Sequence, residues 1–127
     1  MGAFEELEKQ GIRIISGDVS ASCWAYGVLG SGEVFYFSCD RSSANLWVLI
    51  YDFDRHPTDR PDWHVENDET IEGSDTDSLW PEDEHIIAHF GVLLGWFLRS
   101  NKAGRAKPMS EEMFARLRES ELRDMMS

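Results

Sequence analysis

Apolar and polar positions alternate most regularly between residues 33 and 53. Residues 33–39 (EVFYFSC) and 46–53 (LWVLIYDF) gather β-branched and aromatic side chains in runs of strand length, separated by the polar loop DRSSAN at 40–45. Upstream, residues 12–15 (IRII) and 23–29 (CWAYGVL) read as two further strands, parted by a break at Gly17 and Asp18. Gly30-Ser31-Gly32 supplies a hairpin turn before the third strand. Four strands in succession with short connections predict an antiparallel meander. Beyond them, residues 63–65 and 70–72 offer at most two brief strands in a long polar stretch.

A helical period replaces the strand pattern at three places. In residues 4–10, Phe4 and Leu7 share one side, Glu5, Glu6 and Glu8 face outward, and Gly11 ends the helix. A second helix, 80–99, opens on Trp80-Pro81 with acids in its first turn, where proline's fixed φ and the positive end of the helix dipole suit them. Its body, 86–98 (IIAHFGVLLGWFL), is apolar nearly all round, which predicts burial on the sheet, and Gly91 and Gly95 flatten one side for close approach. A basic linker at 100–108 leads to a last helix at 110–125, with Ser110 as its cap and Glu111 and Glu112 in its first turn. Met113, Phe114, Leu117 and Leu122 give it a thin apolar stripe that packs either in cis or on a second copy, making a homodimer. The expected fold is α+β, one domain over 1–127: an antiparallel sheet of about four strands packed against one long buried helix, with short N-terminal and C-terminal helices.

At 127 residues and 42% hydrophobic, the chain can build a core without disulfides or metal. No apolar run reaches the roughly 18 residues of a membrane span, and the opening MGAFEELEKQ lacks the parts of a secretory leader. A cytoplasmic protein with reduced thiols is expected, Cys23 and Cys39 being buried small hydrophobes at strand positions.

Charge changes the picture more. The chain carries 24 acidic and 12 basic residues, a net −12, and thirteen acids against two bases fall within residues 51–98. The excess concentrates in the acidic loop region, residues 52–84 (DFDRHPTDRPDWHVENDETIEGSDTDSLWPEDE), where like charges repel unless solvated or met by cations. The segment NKAGRAK is the only short basic run, which argues against direct nucleic-acid binding and against anionic membranes. An acidic surface suits a basic protein partner, whose approach it accelerates, although solvation alone also accounts for many acidic loops. The candidate contact residues are Asp52, Asp54, Asp59, Asp62, Glu66, Asp68, Glu69, Glu72, Asp75 and Asp77. Trp63 is the candidate anchor among them, a ring that either fills a partner's pocket or tucks into the core.

Catalytic chemistry finds little footing. His85 and His89 stand four apart, the spacing that lets two imidazoles share a metal, yet the glutamate of a His-Glu-x-x-His protease is missing. His56 and His64 complete a four-ligand set only if their loop folds back; otherwise the pair at 85 and 89 is buried and hydrogen-bonded. Asp52 and Asp54, read at a strand end with Phe53 opposite, and Asp75 with Asp77 are oxygen pairs for a divalent cation, but an EF-hand spacing is absent. Neither cysteine stands in a nucleophile motif, and no glycine-rich phosphate loop occurs. No catalytic residue and no cofactor is assigned.

The stretch FEELEKQGIRI at 4–14 resembles the opening helix-to-strand of the SUKH immunity superfamily. With the strand pair of residues 33–53 and the acidic run, the chain looks like the small acidic immunity proteins with which bacteria neutralise toxins. That resemblance implies a non-enzymatic α+β protein that binds one cognate toxin and occludes a nuclease or similar active site. The expected function is a protein-binding inhibitor that places its acidic face in a basic cleft. The competing readings are a phage-encoded inhibitor of a host nucleic-acid-binding defence complex, a small metal-dependent hydrolase using His85 and His89, and a scaffold that dimerises through its last helix.

Overall fold

A computed structural model of the chain describes residues 3–18, 23–39, 43–67 and 83–126. Helix α1 (Ala3–Lys9) is followed by strands β1 (Arg13–Asp18), β2 (Cys23–Val28), β3 (Val34–Cys39), β4 (Ala44–Leu49) and β5 (Trp63–Asn67), then helices α2 (Asp83–Leu98) and α3 (Glu111–Met126). The strands lie side by side in chain order, and every neighbouring pair is antiparallel. Among the described residues no helix is long and apolar enough to cross a membrane.

Strand alternation gives the sheet two faces. The inner face carries Ala25, Phe35, Phe37, Leu46 and Val48, all buried against α2, which contributes Ile86, Phe90, Leu93 and Phe97. Phe90 meets Phe35 and Phe37 edge-on, with ring centroids 5.4 and 5.0 Å away. At the β1 edge, α1 lays Phe4 over Gly17, where a side chain would collide with that ring and with the Trp24 carbonyl. On the outer face, Phe114 and Leu117 of α3 cover Tyr26, Val28, Val34 and Leu49. Arg13 ties this helix down: its Nη1 and Nη2 donate to the two carboxylate oxygens of Glu111 at 3.0 Å, and its guanidinium lies 3.6 Å over the Phe114 ring. The connection from α2 to α3 passes the β2–β3 turn at Gly32, whose φ of 106° and close approach to the Lys107 carbonyl leave no room for a side chain.

The helices and an antiparallel α+β sheet among the described residues are as the sequence predicts, with four differences of detail. Strand β1 runs on through Gly17 and Asp18, where the sequence suggests a break, because both pair with β2 at Ala25 and Trp24. The sheet has five strands, not about four, because residues 63–67 pair with all but the last residue of β4. Strand β4 stops at Leu49 instead of running to 53. Asp62 explains this: its N–H donates to the Val48 carbonyl at 2.9 Å, and its carboxylate Oδ2 accepts the Ile50 and Tyr51 N–H groups at 2.7 and 3.2 Å. Asp52 and Asp54 therefore sit in a loop and not on one face of a strand. Helix α2 is buried on one side only. Val92, Trp96 and Leu98 are 37%, 39% and 55% exposed, since a single sheet face can cover one side of the helix and α3 packs on the other face of the sheet. Leu122 likewise points to solvent and lies outside the working stripe of α3. The strand expected at 70–72 and the helix opening at 80–82 lie outside the described residues.

Candidate functional site

Register assembles the most distinctive surface. Ser16 pairs with Tyr26, Tyr26 with Tyr36, Tyr36 with Trp47 and Trp47 with His64, so one line of side chains crosses all five strands on the outer face. The next line on that face is Asp18, Trp24, Ser38, Asn45 and Glu66. The rings make a continuous row. Trp24 stacks on Tyr36 at 5.8 Å, Tyr36 tilts against Trp47 at 5.6 Å, and Trp47 stacks on the His64 imidazole at 5.0 Å with only 7° between planes. Trp24, Tyr36 and Trp47 are half-buried and His64 is exposed; Trp24 and Tyr36 pack against the cluster that Phe114 and Leu117 of α3 join, and Trp47 and His64 lie beyond it. His64 Nε2 lies 3.1 Å from Asn45 Oδ1 and, carrying the proton, donates to it. Partial burial pushes the His64 pKa below its ordinary value of 6.5, since the charged imidazolium loses solvent.

A cleft of about 350 Å³ continues the row toward α3, lined in part by Tyr26, Asp54, Arg55, His56, Glu121 and Asp124. His56 forms the junction. Its ring stacks on Tyr26 at 5.8 Å and tilts over Tyr36 at 4.9 Å, while its Nδ1 accepts the Thr58 N–H at 3.2 Å. Glu121 reaches across from α3 to accept a 3.1 Å hydrogen bond from Ser16 Oγ. Burial, with the Glu121 and Asp124 carboxylates beside it, holds the Tyr26 phenol protonated and raises its pKa to about 12. Tyr36 is raised as well, by burial and then by Glu121. The outer face thus offers aromatic π faces next to carboxylates, a combination that holds guanidinium and ammonium groups.

The residues singled out in the sequence fall into three places. Asp52, Asp54 and Asp59 are exposed on the loop between β4 and β5, and Glu66 is exposed on the outer face of β5. Asp62 is turned inward: besides the two N–H groups it accepts, its Oδ1 meets Arg55 Nη2 at 3.2 Å. Arg55 organises the whole loop, donating also to the Asp59, Arg60 and Asp52 carbonyls at 3.1, 2.9 and 3.4 Å. Trp63 belongs to the inner face, where it packs edge-on against Phe97 at 5.0 Å. Asp68, Glu69, Glu72, Asp75 and Asp77 lie outside the described residues, as does the side chain of His85. His89 is buried on α2, which packs on the inner face, whereas His56 and His64 both stand on the outer face, so the sheet separates His89 from the other two imidazoles. Among the described residues no three histidine, cysteine or carboxylate side chains gather in a way that holds a metal ion.

Trp24, Tyr26, Tyr36, Trp47 and Glu121 are the site residues that the linear sequence does not single out. One signal was present: Trp24 and Tyr26 alternate with Cys23, Ala25 and Gly27, which assigns the large rings to the face opposite the small residues. No family model, no curated protein and no solved structure matches the chain.

Proposed function

We propose that this chain is a non-enzymatic binding protein that docks a basic protein on the outer face of its sheet, and that the partner is a toxin or nuclease whose cationic cleft it occupies. The observation that carries this reading is the aromatic row of Trp24, Tyr36, Trp47 and His64, half-buried as far as Trp47 and exposed at His64, and edged by Asp54, Glu66, Glu121 and Asp124. Aromatic rings on an open sheet also suit the bases of a single-stranded nucleic acid. Charge supports the protein partner. A net −12 repels phosphates and steers cationic surfaces inward, and each arginine or lysine stacked on a ring adds about 0.5–2 kcal/mol. A nuclease cleft is lined with the same cations to hold phosphate, so occupying it blocks substrate.

The test begins with capture of the partner from native cells, its identification by mass spectrometry, and calorimetry on the purified pair. A basic partner, bound more weakly as salt rises and at least tenfold more weakly by Trp47→Ala and by Glu66→Lys, supports the reading, as does loss of its nuclease or toxic activity at one equivalent. An affinity indifferent to salt and to both variants overturns it. Fluorescence titration with deca-arginine provides the same comparison with a defined probe.

A further inference from the structure

The two cysteines of the chain face each other across the β2–β3 pair. Cys23 is in register with Cys39, and their sulfurs are 2.8 Å apart. Directly opposed residues in an antiparallel pair have Cα atoms roughly 4.5–5.5 Å apart, inside the window of about 4.4–6.8 Å that a disulfide spans. A bond of about 2.05 Å therefore requires the sulfurs to close by less than roughly 1 Å, with no change of strand register. The two side chains differ in access: Cys23 is buried and Cys39 half-buried.

We infer that Cys23 and Cys39 form an intramolecular disulfide-forming modification site, oxidised by a small-molecule disulfide such as glutathione disulfide. Cys39 reacts first: its thiolate, the more accessible, attacks one sulfur of glutathione disulfide. That step makes a mixed disulfide on Cys39 and releases one glutathione thiolate, which takes up the proton Cys39 gave away. The Cys23 thiolate then attacks Cys39 Sγ, forms the Cys23–Cys39 bond and expels the second glutathione, which takes the proton from Cys23. Two protein thiols are oxidised and one glutathione disulfide is reduced to two glutathiones. The bond closes the open end of the β2–β3 hairpin around residues 24–38 and fixes the strand positions next to Trp24 and Ser38. This site stands independently of what binds the outer face.

The experiment incubates the full chain with excess glutathione disulfide, alkylates remaining thiols under denaturing conditions, and measures the intact mass. A loss of two hydrogens with both sulfurs protected from alkylation is expected, together with a rise in Tm of about 5–10 °C that a reductant reverses. The Cys23→Ser variant should halt at a single glutathione on Cys39. Full alkylation of both thiols in the wild-type chain, two glutathione adducts without a cross-link, or a bond only between molecules would each overturn the inference.

Discussion

Asp62, the last residue of the loop between β4 and β5, pairs with Arg55 near the loop's middle. Asp62 Oδ1 meets Arg55 Nη2 at 3.2 Å while Oδ2 caps the Ile50 and Tyr51 N–H groups, and both side chains are only about one-fifth exposed, at 19% and 21%. An acid that sits in the middle of a like-charged run by sequence is, in the fold, the group that lets the run turn. Its carboxylate ends β4, and the guanidinium it holds ties down three further carbonyls.

Removing that carboxylate strands a partly buried guanidinium and two backbone donors. Asp62→Ala is expected to destabilise the protein by about 3 kcal/mol, whereas Asp54→Lys and Asp59→Lys, at exposed positions, stay within about 0.5 kcal/mol of wild type. Urea denaturation of the three variants measures this. Equal stability of Asp62→Ala and Asp59→Lys would show that the loop does not depend on the pair.

Two tryptophans on opposite faces of the sheet should separate stability from binding. Trp63 is edge-on to Phe97 in the inner core, so Trp63→Ala is expected to cost about 3 kcal/mol of folding stability. Trp47 lies between Tyr36 and His64 on the outer face, and Trp47→Ala is expected to cost about 1 kcal/mol of stability but about 2 kcal/mol of binding to deca-arginine or to the purified partner. Thermal melts and fluorescence titration on the same preparations decide it; a reversal of the two patterns would move the interface to the other side of the sheet.

Strands β2 and β3 are legible in the sequence because their apolar runs are bounded by turns and lie adjacent in chain order, so a hairpin pairs them with little choice of register. The end of β4 is not legible, since it is set by Asp62, more than ten residues downstream and reaching back through its side chain. Nor is the aromatic row. Tyr36, Trp47 and His64 are 11 and 17 residues apart, and only the pairing of three strands lines them up. The side on which α3 lands is equally hidden, because it depends on Arg13 of β1 meeting Glu111 almost a hundred residues later. Acidity is visible in the composition, but the division of acids into loop supports and exposed groups is a property of the folded chain.

Tyr26 makes stability depend on alkaline pH. In the unfolded chain its phenol ionises near 10, in the folded protein near 12, so the folded state keeps the proton over that interval while the unfolded state loses it. The contribution is complete below about 10 and is lost as pH rises toward about 12. The stability of wild type should therefore fall more steeply between pH 10 and 12 than that of Tyr26→Phe, measured by urea denaturation at each pH. Glu121→Gln, which removes a neighbouring negative charge, should bring the phenol's ultraviolet titration closer to 10. A titration of Tyr26 that does not respond to the Glu121 substitution would leave burial and Asp124 as the causes.

His64 gives the outer face the opposite sensitivity, toward acid. Its pKa is lowered by burial against neutral surroundings, so the folded state favours the uncharged ring; the stability this adds is present above the free value of 6.5 and is lost as pH falls through the folded pKa. Protonation places a positive charge parallel to Trp47, at the end of the row where a cationic side chain would stack. Affinity for deca-arginine is expected to fall as pH drops below the free imidazole value of 6.5 and through the lowered folded pKa, and His64→Gln, which keeps a side-chain donor for Asn45, should flatten that dependence. Carboxylates of the outer face also lose charge in acid, which is why the difference between wild type and His64→Gln, and not the wild-type curve alone, is the informative quantity. A direct check is the imidazole proton resonance of His64, whose midpoint should lie below 6.5; a midpoint above that value would mean that a carboxylate such as Glu66 dominates the ring's surroundings, and the loss of affinity on acidification would then begin at a higher pH.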